Sequence, residues 1–227
     1  MYLDASTKEF VKNVQAGHHY PSSGGNDDQA DAAAHMVAVV AALAGNTSAV
    51  LAALEPVVRV TQDTDNAVAF GSAAARVLEK LIVTNLTAVE ALTETVADLR
   101  DAARIAPHAQ DAALADQMEA ALAAAARGED PSAFILQNGQ TCDYAFTLSN
   151  VAFLAALVDD SAAGLLKGAR ANIMAGGDSG SRGIFFGALA GARLGDKALI
   201  PQDWVAKTTV YAEVAPLAAA LVAHRSA

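Results

Sequence analysis

The chain has 227 residues, of which 53% are hydrophobic but only 5% aromatic, so it can bury one sizeable core built mainly from alanine, leucine and valine. The formal net charge of -10, without clustered Lys and Arg, argues against a nucleic-acid partner. The single cysteine, Cys142, excludes an internal disulfide and fits a cytoplasmic location, and the first residues do not resemble a signal peptide.

The apolar pattern predicts an all-α protein, because the alternating β-branched runs of a sheet are missing. Capping signals and the 3.6-residue period predict helices, in chain order, at residues 7–15, 26–43, 48–60, 65–83, 87–104, 110–127, 142–157 and 161–174. Residues 17–25 are expected to be a loop, and residues 134–139 extended or irregular. The last helix should start at Val205 or Thr208, end near residue 223, and be kinked or interrupted at Pro216.

Residues 172–195 are the most distinctive stretch. Gly176 and Gly177 predict a tight turn, Asp178 and Ser179 open a helix, and glycines recur every fourth residue at positions 183, 187, 191 and 195, the last as the C-cap. A glycine inside a helix costs about 1 kcal/mol relative to alanine, so the stripe predicts a central helix with backbones pressed against it. Membrane helices show the same spacing, but this run is too short and too charged to span a bilayer.

The string Gly176-Gly177-Asp178-Ser179, the glycine-stepped helix and the later residues Ile200-Pro201-Gln202-Asp203-Trp204 resemble the C-terminal signature of the ADP-ribosylglycohydrolase family. The likeness is greatest to the branch that includes jellyfish lens crystallins. It implies a compact orthogonal helical bundle forming a single domain over residues 1–227. The family's first two metal-binding segments have no counterpart here, so the resemblance also implies an N-terminally truncated domain.

The resemblance implies a magnesium site at the glycine turn. In metal-dependent members the corresponding string is Gly-Asp-Thr-Asp-Thr, which helps to hold two Mg²⁺ ions. Here it implies metal-ligating roles for Asp178, Ser179 and Ser181, while the second aspartate falls on Gly180, as in the crystallin-like branch. Without the resemblance, the spacing favours Asp178 as a plain helix cap.

The resemblance also implies a binding site for ADP-ribose, formed by Gly24, Gly25, Asn26, Thr61, Gly176 and Gly177. Glycines let backbone amides approach a phosphate or a ribose, although the neighbouring Asp27 and Asp28 would repel a diphosphate unless a cation intervened. Without the resemblance, residues 23–28 and 61–65 are interpreted as loops that supply ordinary N-caps to the helices that follow them. No catalytic residue can be named. The histidines lack the pairing of a zinc site, and Cys142 is interpreted as a packing residue.

The function implied by the resemblance is magnesium-dependent hydrolysis of the glycosidic bond in ADP-ribosylated residues or ADP-ribose conjugates. The implied partner is protein-linked or small-molecule ADP-ribose. Two alternatives stay open: a catalytically inactive structural, crystallin-like protein, and a fragment that needs a separately encoded N-terminal partner. Exposed apolar surface would favour the fragment. A homo-oligomer is compatible with the sequence, and we expect no contact with membranes or nucleic acid.

Overall fold

The computed structural model of the chain describes residues 3–159, 161, 163–195 and 200–225. These residues form twelve helices and no strand, which confirms the all-α prediction, and their two β-bridges are isolated pairs. None of their helices is long and apolar enough to cross a bilayer. The helices are α1 Ala5–Gln15, α2 Asp31–Leu43, α3 Thr47–Val58, α4 Asp65–Val83, α5 Ala88–Arg100, α6 Asp111–Ala126, α7 Pro131–Asn138, α8 Tyr144–Ala156, α9 Gly164–Met174, α10 Ser179–Leu194, α11 Gln202–Lys207 and α12 Tyr211–Arg225.

Helix α4 lies at the centre of the core. It begins at the cap Thr64, whose hydroxyl accepts the Ala67 N–H, and fourteen of its residues are buried. Many of these residues are alanines, so α2, α3, α5, α8 and α10 can all pack close to it. Its largest fully buried side chain, Phe70, meets Phe185 of α10 edge-on, with 6.4 Å between ring centroids.

The glycine stripe of α10 does not make the close contacts that its spacing predicts. The buried side of α10 carries other residues, whereas Gly183, Gly187 and Gly191 are only half-buried. No described atom would lie within 4 Å of a Cβ added at Gly187 or Gly191. The close approach occurs instead at Gly168 of α9, where an added Cβ would lie 2.1 Å from Cζ of Phe186. The predicted packing was therefore wrong for the described part of the chain, because the stripe faces away from the core.

Several predicted helix ends also need correction. Helix α1 begins at Ala5 rather than at residue 7, since the Asp4 carboxylate accepts the Thr7 N–H and caps the helix. Helix α2 begins at Asp31, not at residue 26, because residues 27–30 make hydrogen bonds to two other loops. By contrast, α4 has its predicted bounds, and the capping box of α5 is present.

The structure contradicts the prediction for residues 134–139, because residues 134–138 belong to α7 and Gly139 is its C-cap. Asp130 caps this helix by accepting the Ala133 N–H at 2.9 Å, and Pro131 occupies the first turn. The C-terminal region contains two helices instead of one, and Pro216 lies inside α12. The predicted C-cap at Gly195 is confirmed, with a φ of 51°.

Candidate functional site

An open acidic cleft lies where α1, residues 27–31, residues 141–143 and the start of α10 meet. One part, of about 370 Å³, is lined by Asp4, Gln29, Asp31, Cys142, Asp178 and Ser181. The other, of about 420 Å³, is lined by Ala5, Lys8, Asp27, Asp28, Gln29, Thr141, Cys142 and Asp143. Gln29 and Cys142 line both parts, which therefore adjoin. We call the two parts together the acidic cleft.

The loop that leads into α2 is held in place from two sides. The fully buried Gln62 donates from Nε2 to the carbonyl oxygens of Asp27, at 3.3 Å, and Gln29, at 2.7 Å. On the other side, the Ala30 N–H donates to the carbonyl oxygen of Cys142 at 2.8 Å. These bonds fix one wall of the acidic cleft against the α3–α4 junction and the start of α8.

Asp28 is oriented through both of its carboxylate oxygens. Thr64 donates its hydroxyl to Oδ1, and Asn66 donates Nδ2 to Oδ2, each at 3.1 Å. Gln110 in turn donates Nε2 to Oδ1 of Asn66 at 2.6 Å. The position of Asp28 at the cleft therefore depends on α4 and on the residue preceding α6.

Asp4 and Asp31 differ in the protonation state that their surroundings favour. Burial raises the pKa of Asp31 to about 6; a hydrogen bond from Ser6 opposes this rise, and the charges of Asp4 and Asp27 add to it. Burial also acts to raise the pKa of Asp4, but hydrogen bonds from the Thr7 N–H, at 2.6 Å, and hydroxyl, at 2.7 Å, outweigh it and lower that pKa. The cleft thus combines a firmly ionised carboxylate with one that exchanges its proton near neutral pH.

The predicted glycine turn forms the opposite wall. Gly176 and Gly177 have φ values of 70° and 61°, a conformation that L side chains rarely adopt. The following residue, Asp178, donates its N–H to the carbonyl oxygen of Gln140 at 2.8 Å. A Cβ added at Gly177 would lie 2.4 Å from that same oxygen, so the turn requires glycine there.

Asp178 is both a helix cap and a cleft residue. Its Oδ1 accepts the Ser181 N–H at 3.2 Å, and Asp178 and Ser181 both line the acidic cleft. Ser179 is half-buried and does not appear in the cleft lining; its carbonyl oxygen accepts a bond from Asn172 at 2.8 Å. Two of the three predicted metal-ligating residues thus reach the cleft.

Asp4 and Asp31 are cleft residues that the sequence analysis did not single out. The available signal for Asp31 was the short acidic run formed with Asp27 and Asp28. Asp63 and Asp65, by contrast, point to Arg59, with ion-pair distances of 3.0 and 2.6 Å. Those two carboxylates stabilise the α3–α4 junction.

The predicted substrate residues Gly24, Gly25 and Asn26 come directly before the cleft residue Asp27 in the sequence. Thr61, from the second loop, is hydrogen-bonded to Gly25. The Gly25 N–H donates to the carbonyl oxygen of Thr61 at 2.8 Å, and the Gly24 N–H donates to that of Pro21 at 2.9 Å. Both glycine amides are therefore engaged within the protein. A Cβ added at Gly24 would lie 2.6 Å from the Arg59 carbonyl oxygen, which gives this glycine a packing reason, whereas Asn26 is exposed. Substrate contacts of these residues stay a prediction.

The cleft offers the types of ligand that a hard cation binds, since carboxylates and a hydroxyl are the ligands that Mg²⁺ prefers. Burial is the main cause of the raised pKa of Asp31, and a cation would relieve the repulsion from Asp4 and Asp27 that adds to it. Among the described residues, no three His, Cys, Asp or Glu side chains form a ready metal cluster. Gly180, at the position of the family's second aspartate, is exposed and offers no ligand. Waters or substrate oxygens would have to complete the coordination.

Cys142 does not have the surroundings of a nucleophile. Burial raises the pKa of its thiol, and the negative charges of Asp178, Asp27 and Asp31 raise it further. A thiol in such a field stays protonated at neutral pH and is a poor nucleophile. This agrees with the prediction that Cys142 is not a nucleophile, but the residue is half-buried and lines both parts of the acidic cleft rather than packing in the core.

Comparisons with known proteins agree with this architecture. The family model described as ADP-ribosylglycohydrolase matches residues 2–227, and it identifies the family as a whole rather than its crystallin-like branch. A solved structure titled "ADP-ribosylglycohydrolase-related protein complex" matches with a TM-score of 0.71 and 20% identity, covering 98% of this chain and 69% of that chain. At this identity the likeness shows the fold alone. The curated proteins contain no match.

Proposed function

Because the chain belongs to the ADP-ribosylglycohydrolase family, we propose that its acidic cleft hydrolyses the glycosidic bond between ADP-ribose and a modified residue or small conjugate. The observation that supports this most is the meeting of three separate segments at one cleft. Asp178 comes from the family signature, while Asp4 and Asp31 come from the N-terminal region. Such a cleft brings together the acidic groups that hydrolysis of a glycosidic bond requires.

In this proposal the carboxylates have different roles. Asp4 is kept ionised by Thr7 and accepts a proton from the attacking water. Asp31, Asp178 and Ser181 would hold a magnesium ion, which when bound supplies Lewis-acid activation and lowers the pKa of nearby groups. Asp28, fixed through both oxygens, accepts hydrogen bonds from substrate hydroxyls.

Charge restricts the orientation of the substrate. Six aspartates and one lysine, Lys8, line the acidic cleft. A diphosphate inside it would meet strong repulsion. We therefore expect the ribose and the scissile bond to enter the cleft, with the diphosphate outside it.

The first test is a calorimetric titration of the chain with magnesium, followed by measurement of ADP-ribose release from ADP-ribosylated protein and small conjugates. Asp178→Ala and Asp31→Asn should each lower the hydrolysis rate at least about 100-fold, whereas the exposed Asp116→Asn should not change it. A folded chain that neither binds magnesium nor releases ADP-ribose contradicts the proposal and favours the structural, crystallin-like alternative.

A further inference from the structure

A small pocket outside the acidic cleft lies between α4, α5 and the junction of α2 and α3. Its volume is about 250 Å³, below the roughly 300–1,000 Å³ of sites for drug-sized ligands, so it admits only a small molecule. None of its described lining residues lines the acidic cleft. We call it the α4–α5 pocket. Its charged lining residues are Arg76, Glu79, Lys80, Glu94 and Asp98.

Arg76 of α4 is a nearly buried cation without an ion pair. The residue is 7% exposed, and its Nη2 donates to the carbonyl oxygen of Ile105. No carboxylate among the described residues forms an ion pair with it. Burial lowers the pKa of Arg76, and the charges of Asp98 and Glu79 oppose this only in part. Because buried charges are normally paired, Arg76 points to an anionic group that the described part of the chain does not supply.

A second buried arginine adds to the positive charge beside the pocket. Arg104 forms its ion pair with Asp111, on the side away from the pocket lining. Burial lowers the pKa of Arg104, and the charge of Arg76 lowers it further, so the two guanidinium groups repel each other. An anionic group bound to Arg76 would reduce this repulsion.

Glu79 is the other buried charge of the pocket, and two hydrogen bonds fix it in place. Its carboxylate accepts the Gly45 N–H at 3.0 Å and the Thr47 hydroxyl at 2.7 Å. These bonds hold the α2–α3 junction against α4. Glu79 therefore has a structural role and is not the ion-pair partner of Arg76.

Two carboxylates lie at the mouth of the pocket. The side chains of Glu94 and Asp98 are 53% and 39% exposed. Lys80 binds one oxygen of each, with Nζ 3.4 Å from Oε2 of Glu94 and 2.9 Å from Oδ2 of Asp98. No described group donates a hydrogen bond to the second oxygen of either carboxylate. The pocket therefore combines a buried cation with exposed acceptors that can bind a cationic group.

We propose that the α4–α5 pocket binds a free α-amino acid with a small aliphatic side chain. Its carboxylate pairs with Arg76, and its ammonium group donates to Glu94 and Asp98 through charge-assisted hydrogen bonds. Val83, which also lines the pocket, supplies an apolar contact for the side chain. The charge of Asp98 acts on Arg76, so these two groups are close enough for one small molecule to contact both.

Charge distinguishes this ligand from a simple anion. The pocket is lined by two cationic and three anionic side chains, a net charge of -1. A phosphate would bring further negative charge beside Glu94 and Asp98 and would be repelled. A zwitterion adds no net charge, and each of its two groups meets the opposite sign.

Calorimetric titration of the full chain with alanine, and with propanoate as the analogue without an ammonium group, tests the proposal. Alanine should bind with a dissociation constant at or below about 1 mM, and propanoate should bind at least about 10-fold more weakly. Arg76→Gln should weaken alanine binding at least about 30-fold. Asp116→Asn removes an exposed carboxylate that pairs with Arg100 outside the pocket, so this control should bind alanine like the wild type.

Asp98→Asn separates loss of recognition from loss of the fold. Asp98 is partly exposed, and its replacement should weaken alanine binding about 10-fold. Propanoate should bind at least as well as before, because a repelling charge has been removed. Equal weakening of both ligands would contradict a contact between Asp98 and the ammonium group.

A folded chain that does not bind alanine, or alanine binding that survives both Arg76→Gln and Asp98→Asn, overturns the proposal. The α4–α5 pocket shares no lining residue with the acidic cleft. Failure of this proposal therefore leaves the proposed hydrolysis untouched, and the two outcomes can be told apart.

Discussion

Arg182 of α10 donates a hydrogen bond from Nη2 to the carbonyl oxygen of Gly176, in the turn that precedes its own helix. The Arg182 side chain is fully buried, and its Nε donates to Oδ1 of Asn172 at 2.9 Å. Asn172 continues the network by donating to the carbonyl oxygen of Ser179. The guanidinium thus fastens the glycine turn, and with it Asp178, to the last turn of α9.

Arg182→Met should destabilise the protein. The substitution removes the donors to Gly176 and Asn172 and leaves buried oxygens unpaired, so we expect the free energy of unfolding to fall by about 2–4 kcal/mol. Urea unfolding followed by circular dichroism measures the loss. The exposed Arg170→Met on α9 is the control and should stay within about 0.5 kcal/mol of the wild type. Equal effects of the two substitutions would contradict the bracing role of Arg182.

The pKa of Asp31 predicts greater stability in mildly acidic solution. Its folded value of about 6 lies above the reference value of 3.8, so the folded protein holds more protons between these values and the free energy of unfolding falls as the pH rises through them. The full shift corresponds to about 3 kcal/mol. Because Asp31 is only partly buried, we expect about 1 kcal/mol.

Urea unfolding at about pH 5 and pH 7.5, with divalent ions chelated, measures this pH dependence. Other carboxylates also titrate, so the informative quantity is the difference between the wild type and Asp31→Asn. The variant should lose the part of the pH dependence that comes from Asp31 and be more stable than the wild type at the higher pH. Identical pH dependence in the two proteins would show that the pKa of Asp31 is not raised.

Two glycine-to-alanine substitutions should change stability in opposite directions. At Gly168 the new Cβ would lie 2.1 Å from the buried ring of Phe186, so Gly168→Ala should cost about 1–3 kcal/mol. At Gly187 the space is open, and the better helix propensity of alanine should raise stability by about 0.5–1 kcal/mol. Thermal unfolding of each variant beside the wild type compares the two. A stabilising Gly168→Ala would mean that Phe186 can move aside.

The buried ion pair between Arg104 and Asp111 should contribute far more than an exposed one. Their side chains are 7% and 5% exposed, and Asp111 also accepts the His108 N–H. Asp111→Asn leaves Arg104 buried without its counter-charge, so we expect a loss of about 3–5 kcal/mol. Asp116→Asn breaks an exposed pair with Arg100 and should cost less than about 1 kcal/mol. Urea unfolding of both variants distinguishes the two cases.

Local signals explain which parts of the fold could be predicted from the sequence. Helix α4 combines a threonine cap with a long apolar period, so both its ends and its buried character were predictable. Helix α7 was missed because Asp130-Pro131-Ser132 signals a turn as readily as a helix start. Spacing alone also cannot say whether a glycine stripe faces the core or, as Gly187 and Gly191 do, open space.

The candidate site was only partly predictable for a different reason. Asp178 and Ser181 belong to a contiguous signature, whereas Asp4 and Asp31 reach the cleft through long-range contacts of α1 and α2. The polar contacts that fix the segment of residues 27–31 come from Gln62 and from the residues before α8. No local sequence pattern links these residues to that segment. Which residues line a cleft depends on the tertiary structure. A short sequence motif can predict them only when all of them lie in one segment.

The hydrogen bond from the Ser181 N–H to Oδ1 of Asp178 creates a competition at the start of α10. Because Oδ1 of Asp178 caps the first helical turn, a divalent ion can bind only the other oxygen, Oδ2. That oxygen lies near the positive end of the helix dipole, which disfavours a cation. Unwinding that turn would free the second oxygen and remove the opposing dipole. Cation affinity and the fraying of α10 are therefore coupled, and a substitution that loosens this helix end should strengthen metal binding while weakening the fold.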